Sequence, residues 1–165
     1  DVNKQSPIFR AKFSLYAEYG LATYESLFTE EELDRALTYT MNFDRSALFL
    51  SLQGKDFELI ELPIEAQVAP VNDMLVDDVN EDGHLDVLLV GNNYANEVFI
   101  GHLDALNGLL LVGDGTGKLN AISTPSSGFL VPGDAKRIER LNLVTKERLY
   151  ITTQNRDSLL LFKRR

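Results

Sequence analysis

The stretch from Asp77 to Asn92, DDVNEDGHLDVLLVGN, constrains this chain more than any other. Asp78-x-Asn80-x-Asp82-Gly83-x-x-Asp86 sets oxygen donors at positions 1, 3, 5 and 9 of a short loop. Gly83 at position 6 permits a sharp turn, and His84 at position 7 offers its backbone carbonyl. An all-oxygen set suits a hard cation. Ca2+ is favoured over Mg2+ because it accepts about six to eight oxygens in flexible geometry. Between Val71 and Val87 lie six acids (Asp73, Asp77, Asp78, Glu81, Asp82, Asp86) and no Lys or Arg. That density repels itself unless it is solvated or neutralised by a cation. An EF-hand shares the first nine positions but carries Glu at position 12 and then a helix. Position 12 here is Leu89, inside a short apolar run. The loop is therefore expected to join two strands, with Asp86 closing the coordination shell. The competing reading is a solvated acidic turn.

The rest of the chain changes period once. AKFSLYAEYGLATYESLF repeats apolar residues at spacings of three and four, as one face of a helix does. Thr29 followed by Glu32 predicts a capping box, with Phe28 and Leu33 as its hydrophobic staple, and so a helix starting near Glu30. From Leu37 the period becomes two: LTYTMNF alternates as a half-buried strand. Further strands are expected at about 47–53, 57–62, 74–78, 86–91, 109–113, 118–122, 136–141, 148–153 and 158–163. The expected division is a helical region over 1–36 and a β region over 37–165. The early aromatics Tyr16, Tyr19, Tyr24, Phe28, Tyr39, Phe43 and Phe49 are expected in a core, the alternative being an exposed platform for sugar.

The β region repeats itself. LFLSLQGKDFELIELP corresponds to LLLVGDGTGKLNAIS, VNDMLVDDV to PGDAKRIERL, and DVLLVGNN to RLYITTQN, each about 61 or 62 residues apart. Four-stranded units at such a period suggest propeller blades. On these residues the chain resembles the FG-GAP, or VCBS-type, repeat of integrin-like β-propellers, over about residues 47–162. In that family an Asp-x-Asp/Asn-x-Asp-Gly-x-x-Asp loop between the first two strands of a blade binds calcium. The resemblance implies metal ligands Asp78, Asn80, Asp82, His84 (through its carbonyl) and Asp86. GDAKRIERLNLVTKERL lacks the acidic series, so one site is expected rather than two. The segment order also resembles the C-terminal part of large VCBS-repeat proteins of Bacteroidetes-type bacteria, some of which carry an ASPIC/UnbV module.

The expected fold is thus mainly β with N-terminal helices, with about two to three β-propeller-type blades of four-stranded antiparallel sheet. A partial propeller of this kind cannot close a ring alone, since propellers need about four blades or more. It is expected to meet the remaining blades of a parent protein, or another protein, through exposed strand edges, or to protect those edges with its helices. A start at Asp1 rather than Met fits a piece of a longer chain.

Composition narrows the chemistry. The 165 residues suffice for one domain with a core. Formal charge is −9, which disfavours nucleic acid and anionic membranes. With no cysteine, thiolate catalysis and Cys-based metal sites are out. No apolar run approaches transmembrane length, so no direct membrane insertion is expected. GDGTGK is not a phosphate loop: Val112 and Leu119 stand where Gly and Ser/Thr are required. His84 and His102 form no zinc pair. Asp77 and Asp78 point to opposite faces if they lie on a strand, so they are not an acid/base pair. The connection Gly91–Gly108 is long for a blade and is the first place to look for a bound ligand.

The function expected from the resemblance is a calcium-binding, non-catalytic segment for protein or glycan binding and adhesion. Such a segment belongs to a secreted or cell-surface bacterial protein. The alternatives are an accessory part of a carbohydrate-active or other hydrolytic enzyme, and a purely architectural segment.

Overall fold

A computed structural model describes residues 7–145 and 147–164. The first six residues of the expected helical region lie outside that range. The chain divides into two compact units, Asp1–Phe43 and Asp44–Arg165.

Among the described residues the first unit holds four short helices: α1 (Pro7–Lys12), α2 (Tyr16–Gly20), α3 (Tyr24–Leu27) and α4 (Glu30–Asp34). The single apolar face expected over 11–28 is therefore broken into pieces. Leu15 and Thr23 are extended, so each starts a new helix. Glu18 receives the Leu15 N–H at 3.3 Å, which favours a helix start there over continuation. Edge-on ring pairs, Phe9 with Phe28 and Phe13 with Tyr19, join the pieces. The capping box forms as expected. Glu32 N–H donates to Thr29 Oγ1 at 3.3 Å, and Thr29 N–H to Glu32 Oε2 at 2.8 Å.

Two expectations for this region fail. Residues 37–43 form no strand, and Leu37, Tyr39 and Met41 are exposed. Tyr16, Tyr24 and, further on, Phe49 are likewise exposed rather than in a core.

The second unit is mainly β, with three antiparallel sheets. β1 (Ala47–Leu52) pairs with β2 (Asp56–Glu61). A single 3-10 turn at Ile64–Ala66 leads to a four-stranded sheet in sequential order. Its strands are β3 (Val71–Asp77), β4 (Asp86–Gly91), β5 (Leu109–Gly113) and β6 (Leu119–Ile122). A one-turn helix, α5 (Thr124–Ser127), precedes β7 (Ala135–Asn142), β8 (Arg148–Gln154) and β9 (Leu160–Lys163). Every strand expected after residue 47 forms, with ends shifted by a few residues. Among the described residues no helix is long and apolar enough to cross a membrane.

β4 organises the packing. Its run VLLV has no polar alternate because both faces are covered. Leu88 and Val90 join Ile138, Tyr150, Phe129 and Val131 in one cluster, reached from β7 and β8. Leu89 points the other way, with Leu111, Leu109, Leu106 and Ala66. Each buried Leu, Val, Ile or Phe among these stabilises by about 1.5–3 kcal/mol.

The sheets β3–β6 and β7–β9 share details beyond strand order. Both first strands carry an irregularity one residue in, between Val71 and Asp73 and between Ala135 and Arg137. In both, the residue after the second strand donates its N–H to the residue before the first. Asn92 N–H reaches Pro70 O and Asn155 N–H reaches Asp134 O, each at 2.9 Å. At the first irregularity the side chain of Asn72 is re-aimed between the sheets, as bulges commonly do. It donates to Ala135 O at 2.7 Å and Asn92 O at 2.8 Å.

Candidate metal centre

The acidic loop spans residues 78–85, between β3 and β4, so it is strand-to-strand as the sequence requires. Asp77 and Asp86 are its paired ends. Glu81 (φ 61°) and Gly83 (φ 89°) take left-handed backbone, which turns the chain sharply.

Side-chain oxygens hold the loop's own N–H groups. Asp78 accepts from Asp82 N–H at 3.1 Å and Gly83 N–H at 3.0 Å, one on each oxygen. Asn80 Oδ1 accepts from Asp82 N–H at 2.9 Å, and its amide donates to Asp82 Oδ2 at 2.7 Å. Asp82 Oδ1 accepts from His84 N–H at 2.8 Å. That bond and the Asn80 amide hold the exposed Asp82 carboxyl below the usual carboxylate range. Each of these oxygens accepts one hydrogen bond, the Asp82 N–H being shared between Asp78 Oδ1 and Asn80 Oδ1, so lone pairs remain for a cation.

Asp86 differs. It is fully buried; Oδ1 accepts from Gly113 N–H at 3.0 Å, and Oδ2 from Val79 N–H at 2.9 Å and Asn80 N–H at 3.3 Å. Three N–H groups thus surround the carboxylate expected to close the shell. Gly113 is a glycine for a steric reason, since a Cβ there would lie 2.2 Å from Leu85 O. His84 is exposed, with its ring against Gly115. By donor chemistry the set Asp78, Asn80, Asp82 and Asp86 fits a hard cation. Among the described residues, however, no group of three or more His, Cys, Asp or Glu side chains is gathered as ligands.

The neutralising cations that sequence reasoning missed are arginines from the last sheet. Asp77 is 6% exposed. It accepts from Arg140 at 2.7 Å, from Tyr150 Oη at 2.9 Å and from Arg148 at 3.3 Å. Burial pushes its carboxyl up, but Tyr150, Arg140 and Arg148 together outweigh burial and hold it below the usual range. Burial and the adjacent Asp77 raise the Tyr150 phenol to about 12. Arg148 also donates to Asp78 O at 2.8 Å and pairs with Glu81 at 3.0 Å. Arg164 pairs with Glu81 and donates to Asn80 O, both at 2.6 Å. The signal in the sequence is the cluster of arginines in KRIER, KERLY and FKRR, set in an otherwise acidic chain.

GDGTGK is the β5–β6 hairpin, closed by Asp114 N–H on Lys118 O and Thr116 on Asp114. The long connection after Gly91 is tied across itself by an Asn93–Leu103 bridge.

Together these features define a class: a mainly β chain of three antiparallel sheets with short N-terminal helices. No protein-family model, no curated protein and no solved structure matches it.

Proposed function

We propose that this chain is a calcium-binding, non-catalytic segment of a β-propeller-type protein of the FG-GAP/VCBS kind. Its role is protein or glycan binding at a bacterial cell surface. The observation that carries this reading is the repetition between β3–β6 and β7–β9, down to the bulge and the Asn92/Asn155 N–H bonds. In blade terms β1–β2 is the outer hairpin of one blade, β3–β6 a complete blade, and β7–β9 the first three strands of the next. Both ends then call for further blades, from the parent protein or from a partner.

Calcium acts structurally in this reading. Asp78, Asn80, Asp82, Asp86 and the His84 carbonyl hold it, and it joins β3 to β4. Supporting this are the donor spacing, the left-handed turn at Gly83 and the lone pairs left on the loop oxygens. Among the described residues Asp82 has no ion-pair partner, while Asp77 and Glu81 are paired with arginines.

Thermal melting with and without calcium tests the reading. A ligand at about 100 times its Kd adds about 2.7 kcal/mol, or roughly 5–10 °C for a chain this long. That rise is expected in the wild type and absent in Asp82→Ala. A wild-type melting temperature indifferent to calcium would sink the metal claim.

A further inference from the structure

We propose that the cleft between the Gly91–Gly108 connection and the β8–β9 turn binds a neutral carbohydrate. The inference rests on the non-catalytic binding role proposed above, and it is independent of the metal. Tyr94, His102, Asp134, Asn155, Arg156 and Asp157 line the cleft, whose volume is about 600 Å3. That is ample for a small polar ligand. The acidic loop connects β3 to β4, and the cleft is built from the β4–β5 and β8–β9 connections, so the two lie at opposite ends of the strands.

The cleft exists because the two repeats differ here. β8 turns directly into β9 through residues 155–159, whereas β4 reaches β5 through residues 92–108. The extra chain is fixed in place. Asn92 is fully buried at φ 81°; it accepts from Leu106 N–H at 3.0 Å and donates to Leu106 O and Gly133 O at 2.8 and 3.0 Å. A wall held this way loses little freedom on binding.

Three features select the ligand class. First, the Tyr94 and His102 rings stack in parallel at 4.1 Å, and Tyr94 Oη donates to Pro132 O at 3.2 Å. A flat aromatic surface fixed in this way suits the C–H face of a sugar ring. Second, planar polar groups stand beside it. The buried Asp134 carboxylate is held by Lys136 at 2.5 Å and Asn155 at 3.3 Å, and Arg156 and Asp157 are exposed at the turn. The exposed Asn155 amide, Arg156 guanidinium and Asp157 carboxylate can each engage neighbouring hydroxyls in pairs, with Asp134 fixing Asn155 from beneath. Arg156 has left-handed backbone (φ 60°), where glycine is the unstrained choice, so a long cation stands at the mouth at a conformational cost. Third, Lys136 and Arg156 balance Asp134 and Asp157. No positive excess remains to draw a phosphate or sulfate to a chain of charge −9.

The test is the full chain on an array of neutral, sulfated and sialylated glycans, followed by calorimetry with the best neutral oligosaccharide, with and without EDTA. Neutral glycans are expected to bind, and EDTA to leave that binding in place. Tyr94→Ala should weaken it about tenfold. Arg156→Gly should weaken it similarly while the melting temperature holds or rises, which separates lost binding from lost folding. No array signal in a chain whose melting still responds to calcium would overturn the cleft assignment alone. Binding unchanged in both variants would move any glycan site elsewhere. Signal from anionic glycans only would overturn the ligand class.

Discussion

Asp77, the last residue of β3, is buried. Its role comes from residues far along the chain. Arg140, Arg148 and Tyr150 converge on it from β7 and β8, and burial makes each of those bonds matter. Removing one partner of a buried ion pair costs about 3–5 kcal/mol. The arginines here are partly exposed, so Asp77→Asn is expected to cost about 3 kcal/mol in denaturant unfolding, the low end of that range. The pH dependence follows from the lowered folded-state pKa. The stabilisation is fully present above the unfolded carboxylate value, about 3.9, and is lost as pH falls through the folded value below it. Wild type is therefore expected to lose more stability than Asp77→Asn when the pH is lowered below about 4. Equal acid sensitivity of the two proteins would remove Asp77 from that role. The spacing of the loop's oxygen donors, by contrast, was legible because it is local: Asp78 through Asp86 need only one turn to interact.

At the level of elements, strands that have partners were readable and one without a partner misled. LTYTMNF alternates as well as any strand in the chain, yet residues 37–43 pair with nothing described as a strand. Alternation reports two unlike faces; it says nothing about a neighbour to take the N–H and C=O groups. The apolar face over 11–28 failed for a related reason. Spacing of three and four fits several short helices as well as one long one, and the breaks depend on local caps at Leu15 and Thr23. β4 is the opposite case. Its apolar run was legible as a strand, and both of its faces are covered. Leu89→Ala is accordingly expected to cost about 2–5 kcal/mol. Met74→Ala on β3, where the side chain is largely exposed, should stay within about 0.5 kcal/mol. Chemical denaturation of both variants checks the contrast, and comparable losses would contradict the packing assigned to β4.

Across the whole β unit, the internal repeat is the feature that sequence carried only as pattern. Few residues are identical between DVLLVGNN and RLYITTQN, but backbone details recur: the irregular second position of β3 and β7, and the Asn92 and Asn155 N–H bonds. Side chains diverge because the two sheets do different work. The first carries the acidic loop; the second supplies Arg140, Arg148 and Arg164, which neutralise Asp77 and Glu81 from across the interface. Among the described residues that division leaves Asp78 and Asp82 without an ion pair, which the proposed metal role requires. Calcium titration calorimetry at physiological ionic strength tests this most directly. One calcium per chain is expected for the wild type, with no measurable binding in Asp82→Ala. A wild-type chain that takes up no calcium, or an Asp82→Ala chain that binds it as tightly, would contradict a metal role for the loop.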